Sequence, residues 1–110
     1  SGLDANAARL VRLGFLEHAP HAIAHTLREL LAVQPGWPAL AESLGALGLP
    51  ALVIAGERDP VSLAPCRELA QALDRAALVV VPGAGHVVNL EARDAVNAAL
   101  RAFLLQFVPA

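Results

Sequence analysis

Two short, uninterrupted apolar runs constrain this chain more than any other feature: Pro50-Ala51-Leu52-Val53-Ile54-Ala55, bounded by Gly56, and Ala77-Leu78-Val79-Val80-Val81, ended by Pro82-Gly83. Runs of this length without polar alternation are typical of strands in a parallel sheet whose two faces are both covered by helices. Between them, residues 62–73 carry a helical stripe of Cys66, Leu69, Ala70 and Leu73, with Ser62 as the expected N-cap. A helix joining two strands is a crossover connection, so the strands must be parallel. A last helix is predicted over about 91–107, with Val96, Leu100, Phe103, Leu104 and Phe107 on one face. Residues 49–110 therefore read as a β-α-β-α unit of an α/β fold.

Residues 1–48 read differently. Asp4 is placed to cap a helix over 5–17 in which Leu10, Leu13 and Leu16 recur once per turn. After Ala19-Pro20 a second helix carries Ile23, Leu27, Leu30 and Leu31 as an i, i+4, i+7, i+8 stripe, and Gln34-Pro35-Gly36 ends it. A third runs from Trp37 to Leu47 and is closed by Gly48.

Two fully buried parallel strands are too few for a sheet, since such strands need neighbours on at least one edge. Composition points the same way. Hydrophobic residues make up 56% and charged residues 16% of the 110, against about 45–50% and about 25% in an ordinary domain. A chain this small has much surface to show to water. The sheet is expected to be completed by polypeptide beyond these two strands, either a second copy of the chain or the rest of something larger.

Several partner classes are excluded. The charge is −2, with 8 basic residues, all Arg, against 10 acidic ones and no basic run, so neither nucleic acid nor an anionic membrane surface is an expected partner. The apolar runs fall far short of the roughly 20 residues that span a bilayer. One cysteine, Cys66, rules out an intrachain disulfide, and the N-terminus carries no secretory pattern, so a cytoplasmic location is expected.

The chemistry-bearing residues gather at the ends of the two strands, in Gly56-Glu57-Arg58-Asp59-Pro60 and Pro82-Gly83-Ala84-Gly85-His86. In open parallel sheets, ligands and catalytic groups collect at the C-terminal edge. An Asp and a His arriving there on neighbouring strands can meet. A carboxylate that accepts from imidazole Nδ1–H fixes the tautomer and leaves Nε2 as a general base. Glu57 is the competing carboxylate. Glycines around His86 allow the turns that aim its ring over the sheet.

The stretches Leu49-Pro50-Ala51-Leu52-Val53-Ile54-Ala55-Gly56-Glu57-Arg58-Asp59-Pro60 and Val79-Val80-Val81-Pro82-Gly83-Ala84-Gly85-His86-Val87-Val88-Asn89-Leu90-Glu91 resemble the seventh and eighth strands of the α/β-hydrolase superfamily with their acid and histidine loops. The order acid then histidine agrees with that superfamily. The resemblance covers roughly 47–107 and implies that the fold is the C-terminal β-α-β-α part of an α/β-hydrolase parallel sheet, preceded by lid-like helices over 1–48. It implies that Asp59 is the triad acid and His86 the general base, acting on a small-molecule substrate such as an ester, a lactone or a related carbonyl compound. No metal or organic cofactor is called for.

The superfamily's nucleophile sits in a G-x-S-x-G elbow, and this sequence contains none. Its serines are Ser1, Ser43 and Ser62. Alone, the 110-residue chain is expected to be inactive; the resemblance implies that the remaining N-terminal half supplies the serine and that the first strand presents the unsatisfied edge, where the strand leading into the lid would lie. Rival readings are a C–C hydrolase or lyase of the same superfamily, or a non-catalytic fragment or assembly module. Outside the pair, Arg58 reads as a solvated charge and Glu91 as a first-turn acid of the last helix that can also help hold the histidine loop. Trp37 reads as packing, and Cys66 as an inert inward-facing thiol. His18, His21 and His25 have helical spacing, but no Cys or acid completes a metal set and Pro20 breaks the helix.

Overall fold

A computed structural model describes residues 3–109, apart from the side chain of Trp37. The order of elements is α1 (Ala5–Leu16), α2 (Pro20–Glu29), a 3-10 turn (Leu31–Val33), α3 (Trp37–Ala46), β1 (Ala51–Gly56), α4 (Pro60–Ala72), β2 (Ala76–Val81), α5 (Val88–Glu91) and α6 (Arg93–Leu105). β1 and β2 pair in parallel with Ala51 opposite Ala76 and Gly56 opposite Val81. Both strands therefore end at the same edge. Among the described residues the sheet has these two strands only, so the outer edge of each is unpaired.

The local signals act where physics places them. The Asp4 carboxylate accepts from Ala7 N–H at 2.7 Å and starts α1. Gly48, at φ +62°, takes the left-handed conformation that turns the chain out of α3. Arg75 then ties this turn to the entrance of β2, donating from Nη1 to Gly48 O at 3.1 Å, while its own carbonyl accepts from Ala51 N–H at 2.9 Å.

The sheet is covered by α4 and α6. Ile54, Val79 and Val81 turn to the side where Val96 of α6, Ala84, Val88 and Ala92 close a small core. Alternation along the strand sends Val53 and Ala55, both buried, to the opposite face. Most other strand positions are only half-buried. The expected burial on both faces is thus not reached within these residues, because two helices screen two strands incompletely.

Two further expectations are corrected. The N-cap of α4 is Asp59, whose side chain accepts from Ser62 N–H, so Ser62 lies inside the first turn. The second predicted helix ends at Glu29 and continues as the 3-10 turn. The last helix, predicted over about 91–107, is α6, and a separate short helix that the sequence reading did not include, α5, precedes it, the two meeting at Ala92 with φ −142° and ψ 50°. The apolar stripes are largely bare, in line with the excess of apolar residues in the sequence: Leu10, Leu13, Leu16, Leu27, Leu30, Leu31, Leu100, Leu104 and Phe107 are all exposed. Phe103 and Phe107 pack edge to face at 5.2 Å. Among the described residues no helix is long and apolar enough to cross a membrane.

One glycine sets how closely the two strand ends approach. A Cβ at Gly56 would run into the carbonyl oxygens of Ala84 and Gly85. Both obstacles are backbone and cannot swing aside. Gly56→Ala should therefore push the histidine loop off the sheet and lower stability by at least about 1–3 kcal/mol, the range for overpacking a close-fitted site. Urea unfolding of the variant checks this, an unchanged midpoint being the contrary result.

Candidate active site

Two loops leave the same edge of the sheet and are stitched to each other by backbone. Glu57 N–H donates to Val81 O at 3.0 Å and Arg58 N–H to Ala84 O at 2.8 Å. Gly83, at φ +71°, makes the left-handed turn that starts the return of the histidine loop. Its N–H donates to the Glu57 carboxylate, Oε2, at 2.8 Å. Glu57 is thereby engaged as a staple between the loops.

Asp59 follows on the same loop. Its N–H donates to Gly56 O at 3.1 Å, closing a tight turn, and Pro60 then opens α4. The Asp59 side chain is buried, 9% exposed, and its Oδ2 lies 2.8 Å from His86 Nδ1. Its other oxygen, Oδ1, accepts from Ser62 N–H at 3.3 Å. Residues 27 apart in sequence are thus brought together by the crossover.

The electrostatics favour an ionised Asp59. The hydrogen bond from His86 holds its carboxyl below the ordinary aspartate value of 3.8, and hydrogen bonds from the Ser62 side chain and backbone add to this, against an opposing effect of burial. Its place at the N-terminus of α4 is also the end of a helix that attracts negative charge. An ionised carboxylate can only accept, so Nδ1 of His86 must be the donor. The opposite ring edge remains available, and the His86 side chain is 78% exposed.

The other candidates fall elsewhere. Arg58 is exposed. The Glu91 carboxylate lies against Gly85, its oxygens about 3 Å from where a Cβ would stand, so it borders the histidine loop from α5. The Cys66 thiol is half-buried, and burial pushes its pKa up, with the charge of Asp59 acting in the same direction. His18, His21 and His25 are exposed, and among the described residues no group of three or more His, Cys, Asp or Glu is arranged to hold a metal. The reading of Trp37 as packing lies outside the described residues. Ser43 bonds back to Ala39 O at 3.1 Å within α3. A cleft of about 400 Å³ lies between the start of α1 and α5–α6, lined among others by Asp4, Asn6, Asn89, Glu91 and Arg93; neither Asp59 nor His86 lines it.

Ser62 is the residue that sequence reasoning left out of the site. Its Oγ stands 3.4 Å from His86 Nδ1. The signal was its spacing: three residues past Asp59, it falls on the helical turn that faces the cap.

With fold and geometry in hand, the chain belongs to the alpha/beta hydrolase family, whose model matches residues 2–99. Among solved structures it is similar to MenH from S. aureus, with a TM-score of 0.83 and 24% sequence identity over 94% of this chain. The chain spans 38% of the length of that structure. No curated protein matches it.

Two measurements test the electrostatic and stapling assignments. Because the folded-state pKa of Asp59 is depressed, its contribution to stability is complete above the ordinary value of 3.8 and is lost only as pH falls through the depressed one. Thermal unfolding of the wild type and Asp59→Asn between pH 7 and pH 3 should differ by a constant amount down to the ordinary aspartate range and converge below it; a gap already closing near pH 6 would contradict the assignment. For Glu57, removing the acceptor in Glu57→Ala should cost about 0.5–1.5 kcal/mol in chemical denaturation, with Glu57→Gln close to wild type.

Proposed function

We propose that Asp59 and His86 are the acid and the general base of a Ser-His-Asp hydrolase, and that the nucleophilic serine belongs to polypeptide outside these 110 residues. The observation that carries the reading is the 2.8 Å contact between His86 Nδ1 and a buried carboxylate, with the far edge of the ring open to solvent. Held in that tautomer, Nε2 takes the proton of an attacking hydroxyl, and Asp59 stabilises the imidazolium that forms. The imidazolium then returns the proton to the leaving group. Water, deprotonated in the same way, resolves the acyl intermediate.

Neither serine among the described residues suits the attacking role. Ser43 bonds within its own helix, and Ser62 meets His86 on the Nδ1 edge that Asp59 already occupies. Oxyanion donors also belong to the elbow region that this sequence lacks. The family match and the absence of G-x-S-x-G together favour a missing half. Residues 1–48 would be the end of a cap that, with that half, shapes a site for a small ester, lactone or related carbonyl compound. A C–C hydrolase or lyase would use the same acid–base pair. A cytoplasmic setting is part of the proposal and rests on the single thiol, Cys66.

A second reading is that the chain is an assembly module that completes its sheet against another copy. The unpaired outer edges of β1 and β2, with so many exposed leucines, favour it. The two readings separate in solution. For the first, the 110-residue chain should not turn over p-nitrophenyl acetate by a route that depends on His86, and adding polypeptide that carries the serine elbow should create activity that His86→Ala lowers by about 10²–10⁴-fold. A concentration-dependent dimer that gains no activity on such addition would favour the second. Turnover by the chain alone, abolished in His86→Ala, would overturn the claim that the nucleophile lies elsewhere.

A further inference from the structure

The hydroxyls on the helices of this chain do not all do the same thing. Thr26 Oγ1 donates to Ala22 O at 2.9 Å and Ser43 Oγ to Ala39 O at 3.1 Å, the ordinary fate of such groups inside a helix. Ser62 departs from that pattern. Its hydroxyl reaches out of α4 to the Nδ1 edge of His86, 24 residues away in sequence, at 3.4 Å. The capping contact to Asp59 Oδ1 is made by the Ser62 backbone N–H, which any residue at this position except proline would supply.

We propose that Ser62 is a positioning residue of the acid–histidine pair, its hydroxyl holding the Asp59 carboxylate and the Nδ1 edge of His86 in one arrangement; this rests on the reading of that pair given above. The physical need is plain. His86 is largely bare to solvent, and its bond to Asp59 fixes a distance but not the plane of the ring, which can pivot about the Nδ1···Oδ2 line. A hydroxyl on a helical turn, beside the same ring edge, limits that pivot. Its oxygen offers Nδ1–H a second, longer acceptor, which leaves its O–H free to turn towards the carboxylate. The lowered pKa of Asp59 includes a contribution from the Ser62 side chain, in keeping with that direction of donation. The result is a narrower range of directions for Nε2, the atom that must meet the nucleophile. Ser62 itself touches no reacting atom.

The test reads the Nδ1 proton of His86 by ¹H NMR in the 110-residue chain, with far-UV circular dichroism as the check on folding. In the wild type a resolved, slowly exchanging downfield signal is expected. Asp59→Asn should abolish it. Ser62→Ala, which keeps the backbone cap, should broaden it or lose it through faster exchange with water, and Ser62→Thr, which keeps the hydroxyl, should restore it. A signal unchanged in Ser62→Ala overturns the proposal while leaving the Asp59–His86 pair intact, provided Asp59→Asn still removes it. A signal that survives Asp59→Asn overturns the pair itself and Ser62 with it. Loss in both Ser62→Ala and Ser62→Thr, or loss of helical dichroism in Ser62→Ala, assigns the hydroxyl to packing and also overturns the proposal.

Discussion

The parallel register of β1 and β2 is the constraint on which the rest depends. Pairing Gly56 with Val81 brings both strands to an end at the same edge, so the loops that follow emerge side by side. The absence of a side chain at Gly56 then lets the two backbones close up until the acid loop donates to the histidine loop through Glu57 N–H and Arg58 N–H. Without that approach, Asp59 and His86 would sit on neighbouring strands and fail to meet. The chemistry of the site is in this sense a property of the backbone before it is a property of two side chains.

A second consequence is how a buried carboxylate remains charged. Asp59 loses most of its water, which by itself favours the neutral acid. The site replaces that water with donors: imidazole Nδ1–H and a backbone N–H of the first turn of α4. The same residue caps the helix and orients the histidine, so the start of α4 and the geometry of the pair cannot vary independently. Glu57, two residues earlier, faces the other loop and is satisfied by Gly83 N–H, which leaves one carboxylate for the ring.

Much of the fold was legible in the sequence because its signals are local and strong. Unbroken apolar runs marked both strands, Asp4 and Gly48 marked helix ends, and the crossover forced the parallel pairing. Asp59 and His86 were legible because strand ends and a known loop pattern single them out. The misreadings have physical causes. The short α5 ahead of Ala92 went unread because its four residues, Val88–Glu91, are too few to show a helical period. Ser62 looked like the cap because Ser-Leu-Ala opens a helical pattern well, whereas Asp59 sits far enough back to cap a helix that begins at Pro60. The role of Glu57 depends on a partner 26 residues away, beyond the reach of periodicity. The bare leucines of α1, α2 and α6 are a different case: the stripes were read correctly as apolar, but what they face within these residues is too small to cover them.

The most direct test of the central claim is the protonation pattern of the His86 ring, read from ¹⁵N shifts of the two imidazole nitrogens at a pH where the ring is neutral. An ionised Asp59 at 2.8 Å requires the proton on Nδ1 and a bare Nε2, and that tautomer is the expected result. A neutral ring carrying its proton mainly on Nε2 would give Asp59 nothing to accept from the ring and leave no base facing outward, and would contradict the assignment of the pair.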